Sequence, residues 1–461
     1  MIKLANFFRP WTGRIVLIFG VLFFSFLSTL GLAQEERTKL RVGITLENNY
    51  VEVSINDSYR LVEQATEQEI SLSPGKYSFH PDRDDIQIKD ESGDTIGHYP
   101  EPLCLEPGKE SYESSVFIIH NAEKGEKYRG ALEITKDGQD ELQAINIVTL
   151  ESYARGVVPR EMPASWGNYG GMHALKAQAV ASRTYALYHQ QQGRHDGYDL
   201  CDTQHCQVYG GKNSEHENTN QAVKETRGEI LKYQGEIIPP FYHATNGGYT
   251  ELAQNVWSES LPYLDSVPDP YDDPDNPKNI KDMIIHTQAK WETSLPVREI
   301  ESKLDLSRSI SDIEVISTFS SGRVNELQIQ LAGGEALSYF RQHARSIFGL
   351  RSQMFQISDS LKERVWLSGR SQRQESVSEL EGKWAIDASG ETNMLIGDSF
   401  SVEGASEKTR VPHKSYVFTG KGWGHGIGMS QNGAYNRSRD NHTYQEILSF
   451  YYPGTDLSLI D

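Results

Sequence analysis

Alternation of apolar and polar residues dominates the first third of the chain. LRVGITL (40–46) and VEVSI (51–55) carry apolar side chains at every second position, the period of a half-buried strand. SPGKYSF places a turn ahead of another short strand, and YRGALEI and LQAINIV are strands separated by KDGQD, a turn signal. Near residue 150 the period changes. Leu150 to Val158 reads as a short helix entering a Pro-flanked turn, GVVPREMPASWG, that holds Glu161. Met172 to Gln190 is the clearest long helix: Ala174, Ala177 and Ala181 give it a small face, Leu175, Val180 and Leu187 an apolar one, and Lys176, Gln178 and Arg183 interrupt them. AVKETRGEILKYQGEIIPPFYHATNGGYT then predicts a helix, a hairpin through Tyr233–Glu236 and a strand ending in a Gly-Gly turn. Residues 268–282, PDPYDDPDNPKNIKD, have a Pro/Asp composition that resists regular structure, and 360–410 is polar and poor in aromatics. The expected fold class is α+β, with a small β-rich domain over 34–114 and a mixed helix/strand domain over 115–461 interrupted by polar insertions near 268–282 and 360–410.

Charge narrows the possible partners. With 64 acidic against 45 basic residues the 461-residue chain carries a net charge of −19, which argues against nucleic acid, since backbone binding needs clustered Lys and Arg. Residues 1–33 read as a targeting segment: Lys3, Arg9 and Arg14 precede the uncharged apolar run Ile15–Leu32, with Gly31 and Ala33 as small residues before a cleavage point. The run serves either as a cleaved signal or as an uncleaved anchor. In both cases the rest of the chain is exported to the cell envelope, and no other long apolar run exists.

Three stretches carry candidate chemistry. HDGYDLCDTQHCQVYGG supplies His195, Cys201, His205 and Cys206, two thiols and two imidazoles within twelve residues. By spacing alone this is either a tetrahedral zinc site or a Cys201–Cys206 disulfide, and no ligand position is left open for catalysis. GKGWGHGIGMSQNGA has the glycines for close backbone approach to a ligand, with Trp423 to stack on a sugar ring and His425 to hydrogen-bond a hydroxyl, but neither a Rossmann context nor a P-loop Lys-Ser/Thr. FYHATNGGYTE offers Tyr242, His243, Thr245 and Asn246 ahead of a sharp turn. G-x-S-x-G and H-E-x-x-H are both absent, which disfavours a serine hydrolase or a zincin.

Taken in order, LESYARGVVPREMPASW, ALKAQAVASRTYAL, CDTQHCQVYGG, FYHATNGGYTE and GKGWGHGIGMSQNGAY, followed by EILSFYYPGT, resemble the SpoIID/LytB domain, sporulation stage II protein D and its relatives, from about residue 115 to the C-terminus. The resemblance implies a peptidoglycan lytic transglycosylase with a glycan-binding cleft. Such an enzyme cleaves between N-acetylmuramic acid and N-acetylglucosamine and leaves 1,6-anhydro-muramic ends. It makes Glu161, in the E-M-P motif, the single acid and base, held protonated by partial burial. It also shifts the Cys/His cluster towards a structural zinc at His195, Cys201, His205 and Cys206, since some family members bind zinc through two Cys and two His. The candidate cleft lining is Arg160, Lys176, Gln178, Arg183, Tyr242, His243, Asn246, Trp423, His425 and Gln431, with Arg160 facing away from Glu161 or gripping substrate. Relatives that enhance an amidase add a second expectation, a non-catalytic glycan-binding protein acting on an N-acetylmuramoyl-L-alanine amidase partner.

Overall fold

The computed structural model describes residues 38–460 except 57–58, 109–111, 124, 258–259 and 277–288; within 360–414 it describes only strand pieces at 365–366, 374–375, 384–386, 392–394, 401–403 and 408–410. The targeting segment 1–33, most of the polar 360–410 stretch and the second half of the Asp/Pro loop therefore lie outside the described residues. Among the described residues no helix is long and apolar enough to cross a membrane. The fold is α+β, and contacts divide it into two units. The first runs to Phe241 and is completed by 438–450 and 454–461; the second comprises 242–437 and 451–453.

Two sheets build the β part of the first unit. One has seven strands, ordered 200–201, 39–44, 142–149, 131–136, 103–107, 59–63 and 68–70. The other has six, ordered 127–129, 116–119, 51–55, 75–82, 85–90 and 95–100. Alternation decides which side chains go inside: Leu40, Val42 and Ile44 from one sheet and Val51, Val53 and Ile55 from the other enter a single core with Phe79, Phe117 and Tyr128. Lys39–Ile44 pairs antiparallel with Ala144–Thr149, so strands from both sides of residue 114 share one sheet. The contacts do not part at 114/115, because this pairing is non-local and local alternation carries no information about register.

Helix α1 (Leu150–Glu161) starts where the strand 142–149 ends, with the Thr149 hydroxyl capping Ser152 N–H at 3.3 Å. It stops at Glu161 because Pro163 forces Met162 into extended geometry (φ −124°, ψ 141°). Glu161 is thus the last helical residue and not part of a turn. Helix α2 (Met172–Gln192) runs two residues beyond its expected end and closes on Gly193 in the left-handed conformation. Helix α3 (Glu217–Glu225) comes next.

In the second unit, 310–318, 324–331 and 336–340 form a meander, and 290–296, 415–421 and 355–359 a second small sheet. Trp291, Phe348, Phe355, Phe418 and Val324 share its apolar core, onto which the short helices α4 (Val297–Lys303) and α5 (Gln342–Ser346) are placed by Ile300 and Ala344. Tyr242–His243 pairs parallel with Met429–Ser430, which leads into α6 (Gln431–Arg439) and then α7 (Tyr444–Tyr451).

Candidate functional site

In the first unit, the Cys/His hairpin and Glu161 are two ends of one tethered loop. At the hairpin end, Cys201 pairs with Gly43 of the sheet, and the Asp202 carboxylate accepts from Thr45 Oγ1 (2.6 Å) and Thr45 N–H (3.1 Å). Beyond Cys206 the loop lies against α1. Tyr153 donates its hydroxyl to Gln207 Oε1 (3.2 Å), and the Tyr209 ring stacks on Tyr153 with centroids 5.0 Å apart. Gly210 N–H reaches Gly156 O at 3.2 Å. Gly156 is a glycine because a Cβ there would come within 2.5 Å of the Tyr209 ring. Between these anchors Val208 N–H donates to Glu161 Oε1 at 3.3 Å. Glu161 is half-buried, while Arg160 beside it is exposed.

His195, Cys201, His205 and Cys206 each point one donor atom inward, all within 4.8 Å of one another. The sulfurs stand 3.1 Å apart as free thiols, well beyond a disulfide bond. The thiol–thiol contact, with Thr203 and His205, draws the Cys201 thiol down to about 4, while the same contact pushes Cys206 up. Burial lowers His195. Two sulfur and two imidazole donors are what a borderline-soft cation takes, and ligand atoms around tetrahedral zinc lie about 3.4–3.8 Å apart, against donor atoms all within 4.8 Å here. One contact runs against this: Arg194 Nη2 approaches His205 Nε2 at 2.8 Å, and a His205 ligating through Nδ1 carries its proton at Nε2, so Arg194 has to turn aside.

Two residues expected to line a cleft are scaffold instead. Arg183 is fully buried and gives a bidentate pair to Glu151 (2.6 and 2.9 Å), with further bonds to Glu229 O and Val223 O. Gln178, also fully buried, donates to Ser182 one turn on. Arg183 thereby ties α2 to α1 through Glu151 and to α3 through Val223. Lys176 is half-buried and paired with Glu225 at 2.5 Å.

In the second unit the two glycine-rich motifs interlock. Thr245 and Trp423 exchange backbone hydrogen bonds (3.2 and 2.8 Å). Gly424 and Gly426 have positive φ, and a Cβ at either would strike His243 (2.7 Å) or the Arg323 guanidinium (2.2 Å). These glycines therefore admit the protein's own side chains rather than a ligand. Asn246 is fully buried and so is not a lining residue: it donates to Asp269 Oδ2 at 2.9 Å, and its N–H goes to Asp272. Asp272, with no exposed surface, also accepts from Thr245 Oγ1 (2.9 Å), Ser430 Oγ (2.7 Å) and Asn432 Nδ2 (2.6 Å). Asp269 accepts from Arg437 Nη2 (2.9 Å) and the Tyr451 hydroxyl (2.6 Å). The described half of the Asp/Pro loop is thus a polar hub. Arg323, buried and donating to Tyr249 O and Asn246 O (2.8 Å each), completes it. The Asp-x-x-Asp spacing within PDPYDD was the available signal for this hub; nothing local marked Arg323. Tyr242 and Gln431 are half-buried at the paired strand ends, Trp423 is exposed, and His425 is half-buried.

A family model described as "Stage II sporulation protein" matches residues 138–233, the span of α1, α2 and the Cys/His loop. That match and the relatives that follow support the SpoIID/LytB family for this chain. It is 34% identical over 321 residues to the Amidase enhancer of Bacillus subtilis (strain 168), an alignment covering 66% of this chain but 40% of that relative. It is 28% identical over 334 residues to Stage II sporulation protein D of the same organism, covering 69% of this chain and 77% of that one, and 26% identical over 333 residues to the protein of that name from Bacillus amyloliquefaciens.

Proposed function

We propose that this chain is a peptidoglycan lytic transglycosylase acting in the cell envelope, with Glu161 as its single acid and base. The observation that supports this most is the half-buried Glu161 carboxylate at the rigid end of α1, oriented by Val208 N–H, within the P-R-E-M-P motif of the family. Glu151, the other carboxylate of α1, is neutralised by Arg183 and plays no chemical part. Glu161 donates its proton to the glycosidic oxygen as the bond from the muramoyl anomeric carbon breaks. The muramoyl C6 hydroxyl oxygen then bonds to that carbon and returns its proton to Glu161. No water is consumed, the 1,6-anhydro ring closes, and the acid is regenerated. The Cys/His cluster holds a structural zinc, whose contribution is to fix the loop that carries Val208. Mass spectrometry of digested glycan strands tests this: wild type yields 1,6-anhydro ends and Glu161→Gln yields none while still binding glycan. Products with free reducing ends alone would replace the transglycosylase by a hydrolase.

The similarity to a protein named Amidase enhancer favours a second reading, in which the chain binds glycan and modulates an amidase without cutting. That reading predicts unchanged glycan strands and an amidase rate that rises on adding either wild type or Glu161→Gln.

A further inference from the structure

Val208 N–H, which holds Glu161 Oε1, belongs to a stretch, 207–210, that is neither helix nor strand. A loop amide keeps its direction only if the residues on either side of it are fixed. Both neighbours are interior: Gln207 and Tyr209 are each 1% exposed, while Val208 between them is half-buried. Tyr209 is fixed at both ends. Its N–H donates to Asp202 O at 3.1 Å, its ring stacks on Tyr153 and lies 6.1 Å from the Tyr128 ring, and its hydroxyl donates to Asn146 Oδ1 at 2.8 Å. Burial raises the phenol well above its ordinary value, so the proton stays on the oxygen and the hydroxyl remains a donor.

Asn146 is a second, independent observation. It lies in the strand 142–149, on the face that sends Ala144 and Val148 into the apolar core, and it has no exposed surface. An amide at such a position has a desolvation cost that an apolar side chain would not have. Its Nδ2 donates to Arg129 O (2.8 Å) and Ala131 O (3.0 Å), so both amide protons are used and the group cannot turn over. Oδ1 is thereby aimed at the Tyr209 hydroxyl. The backbone of Asn146 is already paired with Val42 on one side and Leu132 on the other, so the strand is held in its sheet without the side chain.

We propose that Tyr209 is a positioning residue for Glu161: hooked on Asn146, it sets the direction of Val208 N–H and so fixes how the carboxyl group is presented to the glycosidic bond. The path runs from the sheet through Asn146, Tyr209 and Val208 to Glu161. It is separate from the Cys/His hairpin, which anchors the other end of the loop. This rests on the Glu161 reading above and adds to it the residues that aim the acid. A carboxyl that gives a proton to one oxygen and takes one back from another works only within a narrow range of orientations. Loss of the hook therefore acts on the chemical step and not on glycan binding.

The test uses the full chain and peptide-free glycan strands, with two readouts: the rate at which 1,6-anhydro ends form, and hydrogen exchange at the Val208 amide. Tyr209→Phe keeps the ring and removes the hydroxyl. It is expected to lower kcat about tenfold with KM within about twofold of wild type, and to speed exchange at Val208 about tenfold while α1 keeps its protection. Tyr77→Phe removes another hydroxyl of the same core, the donor to Ser73 O at 2.9 Å, and should change neither readout. Unchanged kcat, a fall in kcat without faster exchange at Val208, or loss of α1 protection together with activity each overturns the proposal; the last would make Tyr209 a merely structural residue. The Glu161 reading is judged separately. Absence of 1,6-anhydro ends from wild type would discard the transglycosylase, and exchange at Val208 in Tyr209→Phe would still decide whether Tyr209 sets the contact to Glu161.

Discussion

The two units hold their polar residues by different means. In the first, Glu161 sits on a regular helix, and one buried pair, Arg183 with Glu151, ties α1 to α2. In the second, the residues around His425 sit on loops, and the buried carboxylates Asp269 and Asp272 gather hydrogen bonds from Thr245, Asn246, Ser430, Asn432, Arg437 and Tyr451. A helix satisfies its own backbone and needs only to be docked. Glycine-rich loops have no ladder, so side-chain acceptors have to replace it. A buried charge is thus a single clamp in one unit and a multi-point hub in the other.

Removing the hub should have the largest effect. Asp272→Leu strands four donors at once and should destabilise the second unit by about 5 kcal/mol; hydrogen exchange should show 242–276 and 415–437 losing protection while α1 and α2 keep theirs. Arg183→Met leaves the Glu151 carboxylate buried without its guanidinium, at about 4 kcal/mol, with the loss of protection now confined to the first unit. If either variant loosened both units equally, the contrast between clamp and hub would fail. Chelation should be milder. Stripping metal with a strong chelator should lower the melting temperature of the first unit by about 5 °C and leave the second unchanged; one zinc per chain in protein purified without added metal is the companion result. The last effect is in pH, slight near neutrality and growing only as the solution becomes acidic. Burial beside Arg345 and Arg323 brings His425 to about 3 when folded against 6.5 when unfolded, so its contribution is complete above pH 6.5 and is lost as pH falls towards 3. Urea denaturation should show His425→Asn losing less stability than wild type over that window, with the two parallel above about pH 7.

Local signals marked what is local. Helix α2, the hairpin after α3 and the Cys/His cluster were legible because each is set by spacing within a few residues. Glu161 stood out for its motif, yet its position as the end of a helix depends on Pro163 acting on Met162, which the flanking prolines disguised as a turn. The polar residues of α2 looked ready for a ligand, but polarity does not reveal that a charged partner waits inside: Glu151, thirty-two positions upstream, is what makes Arg183 interior. Asp269 and Asp272 were hidden for the same reason, since Asp among prolines reads as solvated loop until its donors arrive from residues 430–451.

Digestion of glycan strands in oxygen-18 water bears most directly on Glu161 as both acid and base. The intramolecular exchange predicts 1,6-anhydro-muramic ends that carry no oxygen-18 and that disappear in Glu161→Gln. Muramic reducing ends labelled with oxygen-18 would show that water, not the C6 hydroxyl, attacks the anomeric carbon, and would contradict it.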